Sequence, residues 1–115
     1  MKPINLHERV NAVIQPVSIL MPVHNEVEGI EAVIAEYVEV VFRYLAEDSE
    51  FIVLESGSTD GTQLVLKGLA ERWPFLQVIT QINRHGFAAA ARELYTRANC
   101  PLLILHRFRW PVRRS

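Results

Sequence analysis

A single cysteine, only five glycines and no apolar run of membrane-spanning length define what this chain does without. Cys100 stands alone, so no intrachain disulfide forms, and a reducing compartment suits that usage. Neither a G-x-G-x-x-G loop nor a Walker loop occurs, which argues against a nicotinamide dehydrogenase and a P-loop NTPase. His7, His85 and His106 share no metal-ligand spacing, so no metal site is assigned. The N-terminus has no long apolar core of the signal-peptide kind. The chain reads as cytoplasmic, with full-length relatives either soluble or membrane-associated.

Acidic residues are also missing from one region. All 13 lie before His106, whereas Arg107, Arg109, Arg113 and Arg114 follow it. Residues 1–105 therefore carry −5 and the last ten carry +4, a change of character that sets the C-terminal segment apart. The composition is otherwise that of one small globular domain. There are 115 residues, half of them apolar, enough for a core and too many for disorder.

Hydrophobic patterning supplies the elements. Residues 1–16, bracketed by Pro3 and Pro16, read as an N-terminal arm. Val17 to Val23 is a nearly continuous apolar run, a buried strand. Asn25 and Glu28 have capping-box spacing, and apolar residues from Val27 to Leu45 recur at three- and four-residue steps. That pattern predicts one helix to about Ala46. Phe51 to Leu54 reads as a second strand. A second helix follows, capped by Asp60 or Ser58 and stopped near Trp73 by Pro74. Phe75 to Thr80 is a third strand, Phe87 to Ala98 an alanine-rich helix suited to close packing, and Leu102 to Leu105 a fourth strand. The order β-α-β-α-β-α-β predicts a parallel α/β sheet of about four strands with flanking helices, over 17–105.

In such sheets ligands bind in the crevice beyond the carboxyl ends of the strands. Three polar loops fall there. Pro22-Val23-His24-Asn25-Glu26 ends the first strand, with His24 as a pocket wall and Asn25 chiefly a helix cap. Glu55-Ser56-Gly57 ends the second. Glu55 is placed to accept ligand N–H or hydroxyl donors, and Gly57 lets the backbone turn tightly. Ser58, Thr59 and Asp60 read as a turn and cap. Arg84 and Gly86 follow the third strand, where a guanidinium either meets phosphate oxygens or is a solvated turn residue. The reading expects Glu26 and Glu55 to converge on one hollow.

Residues 17–26, 52–62 and Asn83-Arg84-His85-Gly86 with its alanine-rich helix resemble the family 2 glycosyltransferases of GT-A fold. The resemblance implies a three-layer, Rossmann-like nucleotide-sugar-binding half-domain, incomplete on its C-terminal side. It implies that Pro22, Val23, His24, Glu26, Glu55, Ser56 and Gly57 line a nucleotide pocket, with Arg84 and Gly86 near the diphosphate. Glu55 stands for the family's first loop Asp, and Ser56 for its second, leaving less charge there. The full-length family is expected to use Mg²⁺ or Mn²⁺, held after the fourth strand by an Asp-x-Asp motif. Here His106-Arg107-Phe108 occupies that place, and cationic side chains are not oxygen ligands. No catalytic residue is assigned, because the acceptor half with its general base is missing.

The implied function is transfer of a sugar from a UDP- or GDP-linked donor to a hydroxyl acceptor, with this chain inactive alone. The alternative is a non-catalytic remnant that only binds or self-associates. The tail, 106–115, is expected to be either a half-buried strand, from the alternation of Phe108, Trp110 and Val112 with Arg107 and Arg109, or a disordered basic segment. Permitted codons for His106 to Val112, read one base later, give Thr-Asp-Ser-Asp-Gly-Gln-Tyr. This suggests a frame change near codon 106, which sequencing the gene tests. The fourth strand is expected to be an exposed edge, and the chain a homo-oligomer through that edge or the tail. Nucleic acid is not an expected partner, because the remaining surface is acidic.

Overall fold

The computed structural model describes residues 15–84 and 86–108. Most of the expected N-terminal arm, His85 and the tail beyond Phe108 lie outside them.

Four parallel strands form one sheet in the order β3-β2-β1-β4: β1 (Val17–Val23), β2 (Glu50–Ser56), β3 (Leu76–Gln81) and β4 (Leu102–Leu105). Helices α1 (Ile30–Glu36), α2 (Thr62–Arg72) and α3 (Gly86–Arg97) connect them. This is the three-layer α/β architecture the sequence predicts. β1 is buried along its whole length because it has a strand on either side and helices on both faces.

Strand alternation divides the core in two. Ile19, Met21, Val23, Phe51 and Val53 face α1 and α2, where they meet Ile30, Ile34, Val38, Leu66 and Leu69. Leu20, Ile52 and Leu54 face α3, where they meet Ala90 and Leu94. The alanines at 90 and 91 are buried, as close packing on the sheet requires. At the opposite end from the loops described below, Glu50 ties the strand starts together. Its Oε2 accepts from the Ser18 hydroxyl and from the Asn99 backbone N–H, both at 2.6 Å.

The first helix departs from expectation. The α-helical part begins only at Ile30 and ends at Glu36, followed by a π-helical segment (Tyr37–Val41) and a 3₁₀ turn (Phe42–Tyr44). Asn25 does not cap it. Asn25 has a left-handed φ of 52°, and the helix starts at Gly29 without a side-chain cap. The widened turn is marked by the Phe42 N–H bonded to the Tyr37 carbonyl, five residues back. Both aromatic rings reach the sheet side: Tyr37 meets Phe51 edge-on at 5.8 Å, and Phe42 stacks on Phe75 at 4.6 Å.

β4 is an edge in the described structure. Leu102, Leu103 and Ile104 are exposed, because the sheet ends there and no helix covers that side.

Candidate functional site

At the carboxyl rim of the sheet, the loops after β1 and β2 are fastened to each other. The Asn25 N–H donates to Ser58 Oγ (2.9 Å), and Asn25 Oδ1 accepts from the Thr59 N–H (2.8 Å). The Glu26 N–H donates to Thr62 Oγ1 (3.0 Å), and the Val27 N–H to Asp60 Oδ2 (3.2 Å). Asp60 also accepts from the backbone N–H and hydroxyl of Thr62 at the start of α2, so part of its expected capping role is present. These bonds supply the loop's backbone donors with acceptors across the rim, which is why the chain does not enter a helix at Asn25.

Pro22 fits in β1 because the β1–β4 pairing register ends at Leu20, so on that side the missing N–H breaks no ladder bond. His24 turns its Nδ1 to the Ser56 carbonyl at 2.5 Å, while the Asn25 amide lies 3.3 Å from Nε2. A carbonyl only accepts, so Nδ1 is the donor in the first of these contacts. Burial, followed by the charge of Asp60, raises the Glu26 carboxyl above its ordinary range, and His24 partly offsets this.

The loop after β3 is held just as closely. Gly57 has φ +57°, and its N–H donates to the Gln81 carbonyl (2.9 Å). A Cβ at this position would lie 2.5 Å from the Arg84 nitrogen and 2.9 Å from the Asn83 carbonyl carbon. The Ser56 hydroxyl donates to the Asn83 carbonyl (3.2 Å). Gly57 and Ser56 therefore set where Arg84 emerges. Gly86, with φ +83°, then turns the chain into α3.

An open hollow, with about 70 Å³ of space that water can occupy, lies between these loops and the first turns of α3. Seven of the nine sequence-predicted residues line it: Pro22, Val23, His24, Glu26, Ser56, Arg84 and Gly86. Glu55 and Gly57 do not. The expected convergence of Glu26 and Glu55 is thus corrected: β2 runs two residues beyond its predicted end and carries Glu55 inside it. Alternation then places Glu55 on the face of Phe51 and Val53, fully buried, and Ser56 on the opposite face towards α3. Glu55 Oε2 accepts the Ser58 N–H, and Oε1 has no donor among the described residues. Glu55 holds the loop from beneath, and Gly57 leaves room for the Arg84 backbone.

The sequence reading missed Phe87, Ala90, Arg107 and Phe108 in the lining. The His106 N–H extends the ladder by donating to the Leu20 carbonyl (2.9 Å). Its ring bonds to the Tyr37 hydroxyl (2.8 Å), and burial lowers the His106 pKa. Arg107 falls on the other side, its guanidinium 4.4 Å from the Phe87 ring centre. The reversal of charge after His106 was the signal for Arg107, and β4 carries it to the hollow.

Among the described residues no group of three or more His, Cys, Asp or Glu could hold a metal ion. Within the hollow's lining, Glu26 is the one carboxylate and faces two guanidiniums, a donor set that does not fit a divalent cation. No described helix is long and apolar enough to cross a membrane.

The sequence matches the family model for glycosyl transferase family 2 over residues 18–106. Among curated proteins no significant match is found. Among solved structures, the chain is similar to the mannosyltransferase PcManGT from Pyrobaculum calidifontis, a structure in complex with GDP-Man and Mn²⁺. The TM-score is 0.72 at 26% identity, covering 81% of this chain and 27% of that one, so the chain spans about a quarter of that protein's length. With the parallel sheet and rim loops already described, the match over most of its length shows that this chain belongs to glycosyl transferase family 2.

Proposed function

We propose that this chain is the nucleotide-sugar-binding part of a glycosyltransferase, taking a UDP- or GDP-linked sugar whose glycosyl group passes to a hydroxyl acceptor. The observation that carries the reading is the hollow at the carboxyl rim, where His24, Glu26, Ser56, Arg84 and Gly86 meet. Family membership and the GDP-Man-bound neighbour support the donor class. The hollow's lining, apolar walls with a few polar groups, has the make-up of a small-ligand site. Pro22 and Val23 form a wall, and His24, Ser56 and Glu26 offer hydrogen-bonding groups to the nucleoside. Arg84 and the start of α3 face the phosphates.

Full-length relatives use Mg²⁺ or Mn²⁺ in this reading. The residues of this hollow do not fit such an ion, and no step here runs through one. In this reading the chain alone transfers no sugar; among the described residues no general base for an acceptor is assigned. With its lone cysteine, it works in the cytoplasm.

Isothermal titration with GDP, UDP and their mannose and glucose conjugates tests the reading. Saturable binding of a nucleoside diphosphate, weakened by Ser56→Ala and Arg84→Ala, is the expected result. Indifference to every nucleotide would leave the second reading, a self-associating module. The uncovered face of β4 favours that reading, with Leu103 46% exposed.

A further inference from the structure

The hollow carries a charge arrangement that the neighbour's metal-bound complex does not lead one to expect. Arg84 comes to it from the loop after β3, and Arg107 from the segment just beyond β4. The two belong to different elements and share one opening. Among the described residues neither guanidinium has a carboxylate partner, whereas Arg43, Arg72 and Arg97 each have one. Arg107 is held in place by Phe87, in the first turn of α3, a helix of 12 residues. The positive end of that helix, Gly86 and Phe87, lines the same hollow. The chain has a net charge of −1, yet this opening is lined by two guanidiniums against the single carboxylate of Glu26.

Resting on the proposed function, we infer that the Arg84–Arg107 pair binds the diphosphate of the donor directly, in place of a divalent cation. Guanidiniums suit this task. Their planar forks donate two parallel hydrogen bonds to phosphate oxygens and stay charged at any working pH. Both side chains stand ready without having to leave an ion pair. A divalent cation gains nothing here. It needs several oxygen ligands, which the lining does not offer, and it meets two like charges. An ion already chelated by the diphosphate in solution would cover the oxygens that the arginines use. The inference therefore carries a sign: added Mg²⁺ or Mn²⁺ leaves nucleotide binding unchanged or weakens it.

The test is titration calorimetry of the whole chain with inorganic pyrophosphate, with GDP and with guanosine, each in EDTA and in excess Mn²⁺. Arg107→Ala and Arg84→Ala are compared with Arg97→Ala, which lies at the far end of α3 in a surface pair with Glu93. Circular dichroism confirms that each variant is folded. Pyrophosphate and GDP are expected to bind in EDTA, no more tightly in Mn²⁺. Each hollow arginine is expected to contribute about tenfold or more in affinity, and Arg97 nothing. GDP binding that requires Mn²⁺ and is indifferent to Arg107→Ala would overturn this inference and leave the proposed function standing. Metal-free, Arg107-dependent pyrophosphate binding with no advantage for GDP and none for guanosine would overturn the proposed nucleotide site and leave the arginine clamp standing. Failure of pyrophosphate and GDP to bind under either condition would overturn both.

Discussion

Replacing Gly57 with alanine tests whether the loops after β2 and β3 are as tightly interlocked as the structure has them. The new Cβ would stand 2.5 Å from the Arg84 nitrogen and 2.9 Å from the Asn83 carbonyl carbon, where ordinary contact begins at 3.4 Å. Both neighbours are backbone, so no flexible side-chain tip can swing aside. The loop must move by roughly 1 Å, a shift that loosens the Gly57–Gln81 and Ser56–Asn83 hydrogen bonds, about 1 kcal/mol each. A left-handed φ of 57° costs an alanine a further ~1 kcal/mol. The sum is about 2–4 kcal/mol, a large part of the ~5–15 kcal/mol of a small domain. It corresponds to a fall of roughly 8–25 °C in Tm. Gly68→Ala is the control. Gly68 lies within α2 and its Cβ would meet nothing within 4 Å, so that variant is expected to gain about 0.5–1 kcal/mol. Thermal and urea unfolding followed by circular dichroism read both. A Gly57→Ala protein within 1 kcal/mol of the parent, or two alanine variants that shift the same way, would refute the reasoning.

Glu55→Gln keeps an acceptor for the Ser58 N–H and is expected to remain within about 1 kcal/mol of the parent; Glu55→Ala leaves that donor unpaired above a cavity and is expected to lose ~2–4 kcal/mol in urea denaturation. Glu50 is pushed up by burial but more strongly held below its ordinary 4.5 by hydrogen bonds from Ser18, Asn99 and Gln77. The stability it supplies is present above that ordinary value and is lost as pH falls through the lowered one, so Glu50→Gln is expected to flatten the acid side of the stability–pH curve. Glu26 runs the other way: its raised pKa favours the fold below the ordinary value and withdraws that support as pH rises, so Glu26→Gln is expected to gain relative stability as pH rises through that raised value. Self-association through β4 is expected to appear as a concentration-dependent sedimentation coefficient and to vanish in Leu103→Lys, since a charge on an exposed edge blocks pairing; a monomer at high concentration would remove that proposal.

The strands were legible because their patterns are local. Val17 to Val23 and Leu102 to Leu105 are apolar runs bounded by polar or turn residues, and both have the bounds expected. The parallel order followed from the alternation of helix and strand patterns. The first helix was misread for a physical reason: Asn25 and Glu28 have the spacing of a capping box, but Asn25 finds a better acceptor and donor across the rim, on a segment more than 30 residues away. Nor does the spacing of Tyr37 to Val41 distinguish a widened turn from an α-helix, since both leave the apolar residues on the sheet side. Glu55 was misplaced through a strand boundary. Pairing with Thr80 and Gln81 lengthens β2 by two residues, and in a strand that decides which face each of two neighbouring side chains takes. Arg107 was visible as a reversal of charge, but only the ladder bond from His106 to Leu20 shows that it reaches the rim.

The central claim, that the carboxyl rim of this sheet receives a nucleoside diphosphate, is tested most directly by a two-dimensional amide NMR titration with GDP. The amides of His24 to Glu26, Ser56 to Ser58, Arg84, Phe87 and Arg107 are expected to shift together and saturate with one dissociation constant. Shifts confined to Gln63, Leu64 and Lys67 on the outer side of α2, or none at any saturating concentration, would contradict it.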